Sequence, residues 1–219
     1  MPVVLITGAS RGLGLEFAKQ LNKLNYKVFA TSRNPDNATA LCKVATVLPL
    51  DVTNESSIQA LSSQINQPID LLINNSGIMS RESLADVAQP TLVSQFIVNA
   101  AGPILVAQHL LSLIKQGTNP KIINITSRMG SVADNGSGGM YGYRASKSAL
   151  NAMTKSLSID VPEVVSIALH PGYIKTSMTD GKGDMDPDEA VTRMLKVIME
   201  VDSTKTGHFL HRDGQVLPW

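Results

Sequence analysis

Cysteine is nearly missing from this chain. Cys42 stands alone, which excludes an intramolecular disulfide and a multi-cysteine zinc site. The usage fits a reducing compartment, and Cys42 itself reads as a small packed residue. An excess of charge of one sign is lacking too: nineteen Lys and Arg face eighteen Asp and Glu, with no long single-sign run. Nucleic acid and acidic membrane surfaces need a concentrated basic face, so neither is an expected partner. Long hydrophobic runs are also absent. The opening stretch Val3 to Ile6 stops at Thr7-Gly8, too short for a signal-peptide core. No segment approaches the roughly 18 consecutive apolar residues of a membrane span, and a cytoplasmic protein is expected. His109, His170, His208 and His211 are scattered, so neither a metal constellation nor a Ser-His-Asp arrangement is suggested.

What is present is an ordinary globular composition, 43% hydrophobic and 17% charged over 219 residues. That length suits one domain, residues 1–219, burying about 70% of the surface its unfolded chain would expose. Short β-branched runs alternate with longer helical patterns throughout. Strands are predicted at Val3 to Thr7, Lys27 to Thr31, Thr46 to Leu50, Asp70 to Ile73, Lys121 to Thr126, Val164 to Leu169 and His208 to His211. Helices are predicted at Leu13 to Leu24, Glu55 to Ile65, Pro90 to Ile114, Tyr143 to Ile159 and Pro187 to Met199. Near-continuous apolar strands such as Ile122-Ile123-Asn124-Ile125 indicate burial on both faces, as in a parallel sheet. The expected fold is α/β: one Rossmann-type, doubly wound parallel sheet of about seven strands with helices on both faces. Ligands of such sheets bind beyond the carboxyl ends of the strands, where the strand order reverses.

Directly after the first strand comes Thr7-Gly8-Ala9-Ser10-Arg11-Gly12-Leu13-Gly14, opening a helix. Such a turn lets the backbone of Gly8, Ser10, Arg11, Gly12, Leu13 and Gly14 approach a pyrophosphate at the positive helix end. The lysine of a nucleotide-triphosphatase loop is absent, so a dinucleotide is the expected ligand. The loop resembles the cofactor loop of the short-chain dehydrogenases/reductases. Further motifs match that family in order: Asp51-Val52, Asn74-Asn75-Ser76-Gly77, Asn99, Ser127, Tyr143 with Lys147, and Pro171-Gly172. Ser76 departs from the family's usual alanine, a change a small residue tolerates. The stretches from Tyr141 to Lys147, from His170 to Thr176 and from Asp213 to Trp219 resemble the carbonyl reductases of the C-factor and sniffer type.

The second strand decides the coenzyme. An NAD site usually carries an acid near that strand's end to bind the ribose 2′-hydroxyl. Here the strand runs into Thr31-Ser32-Arg33, and no carboxylate follows until Asp36. Arg33 and Arg11 can grip a 2′-phosphate, so NADP (NADPH) is expected in preference to NAD. The alternative is that both arginines are merely solvated. The resemblance implies that Asp51 binds the adenine amine with Val52 beside it. It also implies that Asn74, Ser76 and Gly77 line the adenosine side, with Ile174 and Thr176 holding the nicotinamide carboxamide.

Two tyrosines compete for the chemistry, and helical spacing separates them. Lys147 lies four residues after Tyr143, whereas Ala145 occupies that place for Tyr141. A tyrosine with pKa near 10 shuttles protons poorly at neutral pH, and a nearby ammonium with an oxidised nicotinamide lowers it. Tyr143 is therefore expected as acid/base, Lys147 as its tuner, and Tyr141 as a pocket wall. Ser127 is expected to donate to the substrate oxygen. Pro103, four residues after Asn99, has no N–H for the Asn99 carbonyl. The resemblance assigns that carbonyl to a proton-relay water; a purely structural kink is the alternative.

Function follows as NADP-dependent reduction of the carbonyl of a small ketone or aldehyde, the alternative being a cofactor-binding signalling or interaction protein with a vestigial or secondary reductase site. The polar, glycine-rich segment from Ser177 to Pro187 is expected as a mobile flap. A homodimer is favoured: the resemblance implies dimer faces on the long helices around Asn99 and Tyr143, and Val216-Leu217-Pro218-Trp219 forms an apolar tail for a surface to cover. A tail folded onto its own subunit would instead leave a monomer.

Overall fold

A computed structural model describes residues 1–219. Seven parallel strands form one sheet in the order β3-β2-β1-β4-β5-β6-β7. They are β1 (Val3–Ile6), β2 (Lys27–Ser32), β3 (Thr46–Pro49), β4 (Leu71–Asn74), β5 (Lys121–Ile125), β6 (Val165–His170) and β7 (Phe209–His211). Every predicted strand is present, with ends displaced by a residue or two. The order reverses between β1 and β4, which pair through Val4 with Leu71 and Ile6 with Ile73. A crevice is expected there, at the carboxyl ends of the strands.

Alternate residues of β1 serve opposite layers, as the two-residue period of a strand requires. Val4 and Ile6 join Phe17 and Leu21 of α1 (Gly12–Lys23) and Met194 and Ile198 of α7 (Pro187–Glu200) in one core. Val3 and Leu5 join Ile58 and Leu61 of α3 (Glu55–Gln64) and Leu110 and Ile114 of α5 (Gly102–Lys115) in the other. A short α2 (Thr39–Cys42) was not expected, since four residues carry no periodicity. Leu41 takes the buried side of that helix and Cys42 the solvent side. The expectation of a packed Cys42 is thereby corrected: one turn of surface helix offers only one inward position.

The predicted helix from Pro90 to Ile114 consists of three pieces: α4 (Gln89–Phe96), a wide π turn (Ile97–Ala101) and α5. Pro103 cannot donate to the Asn99 carbonyl, and the ladder re-registers around that missing donor, with Gly102 N–H reaching back to Ile97 O. End to end these 27 residues reach a mean hydropathy of 1.6 over their most apolar window, enough by length and composition to cross a bilayer. The expectation that no segment approaches membrane length is overturned by this helix on length and composition alone. Val106, Leu110 and Ile114 are fully buried in the second core, which accounts for the helix's apolar character. The next helix, α6 (Tyr141–Asp160), starts two residues earlier than predicted and carries both tyrosines.

Candidate active site

The glycine loop turns where β1 ends. Gly8 adopts φ +65°, and a β-carbon there would come within 2.7 Å of Ser76 Oγ. Only glycine permits that conformation at that distance from the chain beyond β4. Thr7 ties the two loops together, its hydroxyl accepting from Asn75 N at 3.0 Å and Ser76 N at 3.1 Å. Asn75 completes the tie by donating to the carbonyls of Thr7 and Gly8 at 3.0 and 2.9 Å. Gly12 faces the Thr176 side chain, so the first turn of α1 and the loop after β6 are neighbours. Arg11, the residue capping α1, makes no side-chain hydrogen bond to the helix, which leaves its opening N–H groups available to a ligand. These features fit a dinucleotide pyrophosphate.

At the far end of β2, Arg33 is exposed, and it lies close enough to Asp51 to help hold that carboxyl below its usual range. The larger causes are hydrogen bonds from the backbone and hydroxyl of Thr53. Neither Arg11 nor Arg33 forms an ion pair. Both are therefore open to a phosphate. Val52 packs against Gly102 and is buried. Asn74 is buried as well, donating to Pro103 O at 3.1 Å and Asn124 Oδ1 at 2.8 Å. Its amide nitrogen is committed to the strand ends, and Oδ1 is buried without a hydrogen-bond partner; with the residue only 1% exposed, any adenosine contact there falls to main chain.

On the other side of the crevice stand the residues after β5 and on α6. Tyr143 and Lys147 share one face of α6, with Lys147 Nζ 5.9 Å from the centre of the Tyr143 ring. Lys147 donates to Ile125 O at 2.8 Å, and Ser127 lies near enough to the Tyr143 phenol to favour its ionised form. Burial pushes the Tyr143 phenol up, and the Ser127 hydrogen bond offsets only part of this. The same burial brings Lys147 down to about 8. The expected lowering belongs to a site that holds an oxidised nicotinamide; in the protein alone burial dominates. In this dry site, desolvation of the phenolate outweighs an ammonium nearly 6 Å from the ring.

Asn99 is fully buried, and both N–H groups of its side chain are engaged. It accepts from Ile78 N and donates to Ile78 O, both at 2.8 Å, and donates to Ser146 Oγ at 3.0 Å. Gly77 sits beside Asn99 and Lys147, while Pro171 and Ile174 are buried beneath the loop that follows β6. Tyr141, on the first turn of α6, is 41% exposed and free to form a wall. The segment expected as a flap folds back on itself. Thr179 Oγ1 accepts from Thr176 N and donates to Ile174 O, Ile174 bridges Met185, and Asp180 pairs with Arg81 at 2.5 Å. The apolar tail packs on its own subunit, with Leu217 buried and Trp219 stacked on Phe209 at 5.7 Å. That cover is partial: Val216 and Trp219 remain 55% and 45% exposed.

Sequence reasoning missed Glu82 and Gln95, both buried beside the first turn of α6. Glu82 sits in an otherwise polar stretch and looks like any loop acid. The one available signal was the glycine between two tyrosines, a small residue where something must approach closely. Elsewhere a cleft of about 550 Å³ between α7 and β7, lined by Arg193, Lys196 and Arg212 among others, shares no residue with the set above.

Comparison with known proteins follows this geometry. The chain matches the model of the short chain dehydrogenase family over residues 2–187. It is 38% identical over 155 residues to C-signal of Myxococcus xanthus, across 69% of this chain and 93% of that protein. It is 31% identical over 229 aligned residues to 1-hydroxy-2-glutathionyl-2-methyl-3-butene dehydrogenase of Rhodococcus sp. (strain AD45), across 100% of each chain. Among solved structures, carbonyl reductase Sniffer of D. melanogaster superposes with a TM-score of 0.93 at 32% identity, covering 100% of both chains. The NADPH-bound carbonyl reductase from chicken fatty liver gives the same TM-score of 0.93, identity of 32% and full coverage.

Proposed function

Since this chain belongs to the short-chain dehydrogenases and is an oxidoreductase, we propose that it reduces the carbonyl of a small ketone or aldehyde at the expense of NADPH. The observation that carries this reading is the buried set of Tyr143, Ser127 and Lys147 across the crevice from the glycine loop. Gly8, Ser10, Arg11, Gly12, Leu13 and Gly14 would hold the pyrophosphate. Asp51, Val52, Ser76, Gly77 and the backbone of Asn74 would hold the adenosine, and Pro171, Gly172, Ile174 and Thr176 the nicotinamide end. When bound, NADPH supplies the hydride. Ser127 donates a hydrogen bond to the substrate oxygen as negative charge grows there, and Tyr143 gives that oxygen its proton. A phenol raised by burial is protonated at neutral pH, the form that reduction requires. Lys147 faces the same pocket, orients the cofactor ribose and refills the phenol, with the Asn99 carbonyl steadying a relay water behind it.

The direct test is oxidation of NADPH, followed at its absorbance, against a panel of ketones and aldehydes. Absence of turnover on every member would leave the second reading in place, that of a cofactor-binding signalling protein. Likeness to a protein named C-signal is what favours that alternative.

Coenzyme preference rests on Arg33, with Arg11 across the loop. Titration is expected to give tighter binding of NADPH than NADH. Arg33→Ala is expected to narrow the gap about tenfold, the value of one charge-assisted hydrogen bond in a partly solvated place. Parental protein that favours NADH would refute the arginine argument.

A further inference from the structure

Helix α6 has an unusual beginning. Its cap position, Met140, adopts the left-handed conformation (φ 52°, ψ 45°), and no local side chain caps the helix. The opening N–H groups of a helix need acceptors, and a buried end without them is costly. The acceptors come from sixty residues upstream. Glu82 Oε1 takes the Gly142 N–H at 2.5 Å, and the Glu82 carbonyl takes Met140 N–H at 2.7 Å. Gln95, fully buried on α4, donates to the same carboxylate oxygen at 3.2 Å and accepts from Ser80 N at 3.1 Å.

Gly142 is part of this arrangement. A β-carbon there would come within 2.4 Å of Gln95 Nε2 and 2.7 Å of Glu82 Oε1. The absent side chain is the space that the two partners fill. Glu82 is only 6% exposed, and its second oxygen, Oε2, is buried without any hydrogen-bond partner. Burying a carboxylate with one oxygen unpaired costs stability, and an isosteric amide would avoid the charge. Its place against the positive end of α6 offsets part of that cost.

The segment carrying Glu82 begins at the glycine loop. Asn75 and Ser76 are bonded to Thr7, Ile78 to the Asn99 side chain, Ser80 to Gln95, and Glu82 to Met140 and Gly142. This is one strut, pinned at four points, running from the cofactor loop to the residue just before Tyr143. We propose that Glu82, clamped by Gln95, is a positioning residue: it sets where the first turn of α6, and with it the Tyr143 hydroxyl, stands relative to the cofactor loop. The proposal rests on Tyr143 being the proton donor. Reactions of this kind are sensitive to placement, and a misplacement of about 1 Å can cost roughly 100-fold in rate.

The experiment compares Glu82→Ala, Glu82→Gln, Gly142→Ala and Tyr143→Phe in full-length protein, reading kcat, KM and NADPH affinity by fluorescence. Cofactor affinity serves as the measure of folded protein. Glu82→Ala is expected to lower kcat about 10- to 100-fold, with NADPH affinity within about twofold of the parent. Glu82→Gln keeps an acceptor for Gly142 N–H and is expected to retain kcat within about threefold. Gly142→Ala displaces the clamp by bulk, so its loss should match that of Glu82→Ala and add little in the double variant. Should Glu82→Ala fail to fold, Gly142→Ala carries the same expectation alone. Parental kcat in Glu82→Ala or Gly142→Ala, beside an inactive Tyr143→Phe, would overturn the clamp and leave the proposed function standing. An active Tyr143→Phe would remove the proposed function and the clamp's role together.

Discussion

Replacing Tyr143 by Phe is expected to cut carbonyl reduction by at least the ~10²- to 10⁴-fold ascribed to general acid catalysis. The ring stays, so packing in this buried position is retained while the hydroxyl beside Ser127 is lost. NADPH binding should therefore persist within a few-fold. Tyr141→Phe is the matched control. Tyr141 is on the same turn but exposed, with no lysine one turn beyond it, and its loss of a hydroxyl should be mild. Steady-state kinetics of both variants, with cofactor titration on the same samples, make the comparison. A Tyr143→Phe enzyme that turns over like the parent would refute the assignment. Turnover abolished with the protein's cellular effect intact would favour the signalling reading.

Lys147→Ala is expected to be the other severe change, because it removes the charge beside the Tyr143 ring that is proposed to orient the cofactor ribose. Losses should appear in NADPH affinity and in kcat together, each by about tenfold or more. The pH dependence gives an independent check. Lys147 loses its proton near 8 in the folded protein, whereas an ordinary lysine does so near 10.5. If the ammonium is the working form, kcat/KM, which reports the free enzyme, should fall as pH rises through about 8. Stability should move the other way. Between about 8 and 10.5 the unfolded chain holds a proton at this lysine that the folded chain has released, so folding strengthens as pH rises through that window. The parent should accordingly gain thermal stability relative to Lys147→Ala across it. Melting curves of the two proteins that stay parallel there would show that Lys147 is not held in its dry, disfavoured state.

Much of this molecule is written in local order along the chain. Each strand is a short apolar run whose neighbours are helical, and burial on both faces leaves little freedom but a parallel sheet. The glycine loop, Pro103 opposite the Asn99 carbonyl and the four-residue step from Tyr143 to Lys147 are relations between residues close in sequence. Dihedral limits, missing donors and helical period act at that range, so they can be read without coordinates. The parallel doubly wound sheet was accessible in this way, and membership of the family through the order in which its motifs follow one another.

Other features depend on what lies close in space, and these only the tertiary structure decided. Whether Tyr143 titrates above or below an ordinary phenol turns on how little water remains around it, and burial prevailed over the neighbouring ammonium. Cys42 faces solvent because Leu41 took the inward side of a one-turn helix. The Asn74 side chain belongs to the strand ends because Asn124 and Pro103 stand opposite it. Glu82 shows the limit most plainly. Its partner Gly142 is sixty positions away, and a lone acid in a polar loop carries no trace of the helix it caps. Side-chain periodicity tells which way a residue faces, but desolvation and long-range hydrogen bonding are set by whatever the fold brings opposite, and that information is not local.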